Sequence, residues 1–171
     1  MKKIIVLYRS KTGFSKRYAE WIAEDLACEC RPIKGIKLDD LKEYRLVIYG
    51  AGVYAGMIAG LGKIKNWMEK LPEKTWIVFA TGTTPHKEGY EELLFKTNFR
   101  KGESRPAHFY YFLSGINYEK MGFLNRVLMK FFSGLAAKKN GKSQTASQIS
   151  IDLANRHYIA DLLCYVRLKA R

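Results

Sequence analysis

Four unbroken runs of β-branched and aromatic residues constrain the fold of this 171-residue chain more than any other feature. The runs are Ile4–Tyr8, Leu46–Tyr49, Trp76–Ala80 and His108–Leu113. Strands of this composition belong to parallel sheets that are covered on both faces. Because helix-like segments separate the runs, the sequence predicts an α/β fold with right-handed crossovers.

The segments between the runs carry apolar residues at helical spacing. They predict helices over Ser15–Ala27, Ile58–Leu71, Glu88–Phe99 and Ile149–Leu168, and a short strand near Arg31–Ile33. No linker or break in composition divides the chain, so we expect a single domain over residues 1–171. The uncharged stretch Leu46–Gly62 has GxxxG spacing but is too short for a membrane span, and a strand, a glycine turn and a helix explain it better.

The first predicted strand ends in a loop rich in hydroxyl groups, directly before a helix. The loop consists of Ser10, Lys11, Thr12, Gly13, Phe14 and Ser15. Hydroxyls, backbone N–H groups and a helix N-terminus suit a phosphate, and Arg9 and Lys11 add positive potential. The spacing is not that of the triphosphate-binding loop GxxxxGK[ST]. An ordinary helix cap is the alternative interpretation.

Two further loops follow later strands and should converge with the first at one edge of the sheet. They are residues 50–56, rich in glycine, and the segment Thr81, Gly82, Thr83, Thr84 and Pro85. Gly50, Gly52 and Gly56 also approximate a dinucleotide fingerprint. That alternative is disfavoured because the next strand ends without the charged residue that such a site uses for the ribose.

The order of a strand, the motif S-x-T-G-x-S, a helix and two later glycine loops resembles the flavodoxin family. The resemblance covers roughly residues 3–115 and the last helix, and it is closest to the menaquinone-dependent protoporphyrinogen oxidase branch. The pattern Gly50-Ala51-x-Val53-x-x-Gly56 and the stretch 115–130 support that branch. The resemblance implies a three-layer α/β/α fold, a five-stranded parallel sheet and non-covalently bound FMN.

The resemblance also implies roles for the three loops. Residues Ser10–Ser15 would hold the phosphate, and the isoalloxazine ring would lie between the other two loops. Those loops contribute Ala51, Gly52, Val53, Tyr54, Ala55 and Gly56, and Thr81, Gly82, Thr83, Thr84 and Pro85. Tyr54 is the candidate for stacking on the ring, unless it only covers a core edge. The sequence predicts no catalytic side chain and no metal site.

The formal net charge of +14 bears on the redox chemistry. No carboxylate occurs between Arg45 and Lys65 or between Trp76 and Lys87, where the ring-flanking loops lie. Positive or neutral surroundings stabilise an anionic reduced flavin. We therefore expect a two-electron oxidoreductase with a quinone or another small-molecule acceptor, and the resemblance implies a protoporphyrinogen-like substrate. The main rival is an electron carrier for a protein partner.

Nine of the fourteen net charges lie within residues 99–171. The segment at about 116–142 is predicted to be a basic amphipathic insertion that contacts an anionic membrane, with a packed helix as the alternative. A basic module for nucleic acid is disfavoured because no motif for such binding is present. The free-thiol pattern of Cys28, Cys30 and Cys164 is typical of a cytoplasmic protein, here one at the inner face of the membrane.

Overall fold

The computed structural model of the chain describes residues 4–85, 87–116 and 150–170. Its centre is a parallel sheet of five strands in the order β2-β1-β3-β5-β6. These strands are β1 (Ile4–Arg9), β2 (Glu29–Pro32), β3 (Leu46–Tyr54), β5 (Thr75–Gly82) and β6 (His108–Leu113). The short strand β4 (Met57–Ile58) pairs antiparallel with the end of β3. The predicted five-stranded parallel sheet is thus confirmed, and its strand order is doubly wound.

Helices cover both faces of the sheet in the described part of the chain. They are α1 (Phe14–Leu26), α2 (Leu61–Lys70), α3 (Tyr90–Asn98) and α4 (Ala160–Ala170), with 3-10 turns at Asp39–Leu41 and Arg156–Ile159. Helices α1 and α4 contribute to one core cluster, and α2 and α3 contribute to the other. A separate ribbon joins β7 (Gly115–Ile116) to β8 (Ile151–Asp152). The three-layer α/β/α prediction is therefore confirmed.

The unbroken apolar runs arise because the strands are buried on both sides. Along β3, Val47 and Tyr49 belong to the core under α2 and α3, whereas Leu46 and Ile48 belong to the core under α1 and α4. Successive side chains of a strand point to opposite faces, so each face of β3 requires its own apolar series.

The structure corrects three of the predicted boundaries. Strand β3 does not end at Tyr49 but continues through Gly50, which is buried against Phe79. The helix predicted from Ile58 begins only at Leu61, because Ile58 pairs in β4. The predicted helix 149–168 is wrong over its first half, where the chain forms β8 and a 3-10 turn before α4.

No helix within the described ranges combines the length and the hydropathy that a membrane span requires. The stretch with GxxxG spacing forms β3, β4 and the start of α2. Apart from Ile116 in β7, the predicted amphipathic insertion at 116–142 lies outside the described residues. The insertion therefore has no structural description, and the single-domain interpretation stays a prediction.

Candidate functional site

The three predicted loops converge at one edge of the sheet. Strands β1, β3 and β5 are neighbours, and their paired residues near the carboxyl ends are Arg9 with Ala51 and Gly52 with Thr81. The chain runs from β1 outward to β2 and then crosses back to β3, so the crevice lies at the point where the winding reverses. Open α/β sheets bind ligands at this switch point.

The first loop offers donors that suit an anion. Gly13 has a φ of +98°, and its N–H donates to the Ser10 hydroxyl at 3.0 Å. No side chain caps the start of α1, and its first turn contains no acidic residue. Its N-terminal N–H groups and positive dipole end therefore face the loop without a competing carboxylate there.

Two residues of the first loop point into the protein instead. Ser15 is buried, and its hydroxyl lies 2.8 Å from the Thr81 hydroxyl in the third loop. Phe14 is buried too and packs beside Gly115, where an added Cβ would lie 2.8 Å from the Phe14 ring. Ser10 and Thr12 are partly exposed and remain the predicted side-chain donors to a phosphate.

The second loop is a tight hairpin rather than an irregular loop. Strand β3 continues to Tyr54, the chain turns at Ala55 (φ +48°) and Gly56 (φ +79°), and β4 returns with Ile58 opposite Val53. Positive φ at both central residues is typical of a type I′ hairpin turn. The predicted ring-flanking residues 51–56 are thus the end of a strand and its turn.

Tyr54 lies at the exposed rim of this hairpin. Its side chain packs against Gly52, where an added Cβ would lie 3.1 Å from the ring, and 37% of the residue is exposed. Partial burial raises the pKa of Tyr54 above 10.0, and the nearby charge of Arg9 opposes this shift. Its predicted role in stacking on a ring stays a prediction.

Two cations lie beside the hairpin, Arg9 at the end of β1 and Lys11 in the first loop. The Lys11 ammonium is 4.8 Å from the centroid of the Tyr54 ring. The Arg9 side chain lies next to Gly60, where an added Cβ would be 3.1 Å from its Cδ and Nη1 atoms. Sequence reasoning assigned these cations to the phosphate. The structure places their charge close to the predicted ring-flanking residues.

Strand β6 and Ser114, the residue that follows it, hold the third loop in place. The backbone N–H and the hydroxyl of Ser114 both donate to the Gly82 carbonyl, at 2.7 and 3.0 Å. The Tyr111 hydroxyl donates to the Thr84 carbonyl at 2.9 Å, and burial raises the pKa of this phenol. Neither supporting residue was predicted, although Tyr111 belongs to an aromatic run that sequence reasoning assigned to a strand.

The β7–β8 ribbon closes the site beside the first turn of α1. Asp152 in β8 accepts a hydrogen bond from Arg17 at 2.7 Å, and Gly115 in β7 contacts Phe14. Because Ile116 pairs with Ile151, the chain leaves for residues 117–149 and returns from them at this same edge. Both ends of that segment therefore adjoin the candidate site.

Two further buried residues support the hairpin and were also missed. The Tyr49 hydroxyl donates to the Ala59 carbonyl at 2.6 Å, and the Asn98 side chain bonds to the backbone of the hairpin. The sequence signal for Asn98 was its position, since it is a polar residue at the end of an apolar helix face.

The assembled site combines anion donors, an exposed aromatic ring and two cations. Its backbone and hydroxyl donors fit a phosphate, and the hairpin with Tyr54 offers a partly apolar rim. Within the described loops 10–15, 51–56 and 81–85 no carboxylate or histidine is present to act as an acid–base pair. The donors and cations of the site suit an anionic group such as a phosphate.

Comparison with known proteins identifies the family of this domain. The family model for the flavodoxin domain matches residues 5–144. No curated protein sequence matches the chain significantly.

Solved structures of similar fold include two flavodoxins. A flavodoxin, WrbA-like protein from Agrobacterium tumefaciens aligns with a TM-score of 0.43 at 21% identity, over 49% of this chain and 62% of that protein, less than two thirds of its length. Oxidised flavodoxin 2 from Bacillus cereus aligns with a TM-score of 0.42 at 20% identity, over 56% of this chain and 72% of that protein. At these scores the family assignment rests on the sequence match to the domain.

Proposed function

Because the chain belongs to the flavodoxin domain family, we propose that it is an FMN-dependent oxidoreductase that passes two electrons to a quinone or a similar organic acceptor. Family membership implies FMN as the cofactor and a redox function. The first loop and the N-terminus of α1 would hold the phosphate of FMN. FMN would supply the electron transfer, and the chain's own residues would bind the cofactor and set the charge around it.

The position of Arg9 and Lys11 carries this proposal. Both cations lie beside the hairpin, and the segments 46–64 and 77–85 contain no carboxylate. Cations near the ring stabilise a reduced flavin that carries negative charge, and they raise its potential. This favours transfer of an electron pair to an organic acceptor over low-potential transfer of single electrons.

The location of the ribbon supports a quinone in the membrane as the acceptor. The chain departs from this edge of the site after Ile116 and returns to it at Ile151, and the predicted insertion at about 116–142 is basic. A basic amphipathic segment binds anionic lipid, and quinones dissolve in the bilayer. We propose that the insertion brings the cofactor to the membrane surface, and that the reductant is a protoporphyrinogen-like molecule, as the branch resemblance implies.

A second candidate function is an electron carrier for a protein partner. The exposed side chains of Tyr54 and Met57 at the hairpin favour it, since exposed apolar side chains beside a redox site suit protein docking. This candidate requires electron transfer from a reduced partner protein or to an oxidised one, and no turnover with quinones.

The absorption spectrum of the purified protein, supplemented with FMN, tests cofactor binding. Thr12→Asp should weaken FMN binding at least tenfold because it places a carboxylate against the phosphate, while riboflavin binding should not change. Thr97→Asp on α3 adds the same charge away from the loops and is the control. Absence of flavin bands after reconstitution would refute the proposal, and equal FMN affinity in both variants would move the phosphate site elsewhere.

The acceptor is tested by anaerobic turnover. The reduced protein should reoxidise rapidly with a water-soluble quinone, and its reduction should pass from oxidised to fully reduced flavin without a third spectral species.

Flotation with anionic vesicles tests the membrane contact of the insertion. It compares the full chain with its Lys138→Gln/Lys139→Gln/Lys142→Gln variant, in which three lysines of the predicted insertion are neutralised. Equal, negligible flotation of both proteins would exclude the membrane contact and favour the carrier.

A further inference from the structure

Asn98 is a buried polar residue at the carboxyl end of α3, and it contacts the hairpin that follows β3. Only 1% of its surface is exposed. Its side chain forms three hydrogen bonds, two of which reach across to the hairpin. Such a residue can fix the hairpin without contacting anything that binds in the crevice.

The bonding pattern of Asn98 requires an amide. Its Oδ1 accepts a hydrogen bond from the Ile58 N–H at 2.9 Å, and its Nδ2 donates to the Gly56 carbonyl at 2.8 Å. The second Nδ2 proton goes to the Leu94 carbonyl at 2.9 Å, within α3. A carboxylate could accept from Ile58 but would turn its other oxygen toward two carbonyl oxygens.

The hairpin is a segment that requires such support. Strand β4 has only two residues, and a short two-stranded hairpin is marginally stable by itself. Its turn also holds Ala55 at a φ of +48°, which is unfavourable for a residue with a Cβ. Asn98 bonds to the two backbone groups, on Gly56 and Ile58, that bracket the returning strand, and so acts in place of a neighbouring strand.

We infer that Asn98 is a positioning residue that holds the hairpin 51–58 in the shape that receives the flavin ring. This inference rests on the proposed function, because it concerns how the same site binds FMN. Asn98 acts through Gly56 and Ile58 rather than by touching the cofactor. The substitution Asn98→Leu, of similar size, removes all three hydrogen bonds and should leave the phosphate loop unchanged.

Flavin affinity of the folded variant separates this role from a purely structural one. Asn98→Leu should bind FMN and riboflavin about tenfold more weakly than the parent, and by the same factor for both, because both contain the ring. Thr97→Val is the matched control, since it removes a hydrogen bond to Leu93 from the same helix at an exposed site. It should bind both flavins like the parent. Unchanged affinity in folded Asn98→Leu, or a loss confined to FMN, would overturn the inference.

A second variant keeps the test valid if Asn98→Leu does not fold. Asn98→Asp keeps the acceptor for Ile58 but loses both donated hydrogen bonds at neutral pH. Protonation of the introduced carboxyl restores one donor, so flavin affinity should recover in part as the pH is lowered. The parent, which has no carboxyl at this position, should bind flavin equally well across that pH range. If the flavin affinity of Asn98→Asp does not recover at lower pH, the role of the donated hydrogen bond is contradicted.

Amide hydrogen exchange tests the hairpin in the parent protein without any flavin. The Ile58 N–H should exchange slowly because Asn98 protects it, and added FMN should slow it further. Rapid exchange at Ile58 would refute the inference even in a protein that binds FMN. Slow exchange in a chain that binds no FMN would refute the proposed function and leave only a structural role for Asn98.

Discussion

The hydroxyl groups of Ser15 and Thr81 lie 2.8 Å apart in the interior, although 66 residues separate them in the chain. Ser15 belongs to the first turn of α1 and Thr81 to the end of β5, and only 3% of each residue is exposed. This bond ties the predicted phosphate loop to the third loop. Ser15 therefore contributes to the relative position of the loops that form the site.

Removing one partner of this pair should cost stability. Ser15→Ala leaves the buried Thr81 hydroxyl without its partner, which should lower the free energy of unfolding by about 1–3 kcal/mol. The double variant Ser15→Ala/Thr81→Val removes both polar groups and should be less destabilised than the sum of the single variants. Urea unfolding of all four proteins measures this coupling. Strict additivity would show that the two hydroxyls do not interact.

Gly50 should tolerate no side chain, because a Cβ there would lie 1.8 Å from the Phe79 ring. Gly50→Ala should destabilise the fold by about 1–3 kcal/mol through overpacking, and Phe79→Leu should relieve part of that loss. The same change at Gly62, an open position inside α2, should stabilise by up to about 1 kcal/mol. Equal effects at both glycines, measured by thermal unfolding, would contradict the packing account.

Lys11 should raise the reduction potential of the bound flavin. Lys11→Gln removes a cation from beside the Tyr54 ring and should make the two-electron potential about 10–30 mV more negative. Lys16→Gln is the control, since Lys16 is paired with Glu20 on the exposed side of α1. Potentials measured by equilibration with reference dyes should separate the two variants. A larger shift in Lys16→Gln would place the ring away from the hairpin.

The three thiols should differ in reactivity. Burial is the main cause that raises the pKa of Cys28 to about 12 and that of Cys30 to about 11, whereas Cys164 is exposed. Thiolate is the reactive form, so near pH 8 an alkylating reagent should modify one thiol per chain rapidly, and none in Cys164→Ser. Rapid loss of two or more thiols in the folded parent would contradict this assignment.

The burial of Cys28 also predicts whether the stability of the fold rises or falls with pH. Between the ordinary thiol pKa of 9.0 and the raised pKa of about 12, Cys28 stays protonated in the folded chain but ionises in the unfolded chain. The unfolded state then binds fewer protons, so stability falls as the pH rises through this window. The urea concentration at the midpoint of unfolding should therefore fall less steeply with pH in Cys28→Ala than in the parent. Equal slopes in the two proteins would contradict this prediction.

The elements of the fold were largely predictable from the sequence, but their ends were not. The run His108–Leu113 was identified with the bounds that β6 has in the structure. The end of β3 was missed because glycine is a common turn residue, and nothing local reveals that Gly50 lies under the Phe79 ring. The extended start of the last predicted helix was missed because β8 forms only by pairing with β7.

The candidate site was likewise predictable from the sequence only in part. The three loops were identified from residue types that follow predicted strands, since strand direction alone brings their ends to one edge. The supports Tyr111, Ser114 and Asn98 were not identified, because each bonds to a backbone group that composition does not mark. Their assignment required knowing which carbonyls and N–H groups the fold leaves within reach.

The sequence by itself determined the alternation of strands and helices and the loops that share an edge of the sheet. These follow from apolar periodicity and from connection rules that depend on short segments. Only the tertiary structure decided that Ser15 meets Thr81, that Lys11 lies over Tyr54 and that Asn98 holds the hairpin. Hydrogen bonds and cation–ring contacts act over a few ångströms with strict geometry, so they depend on packing between distant segments.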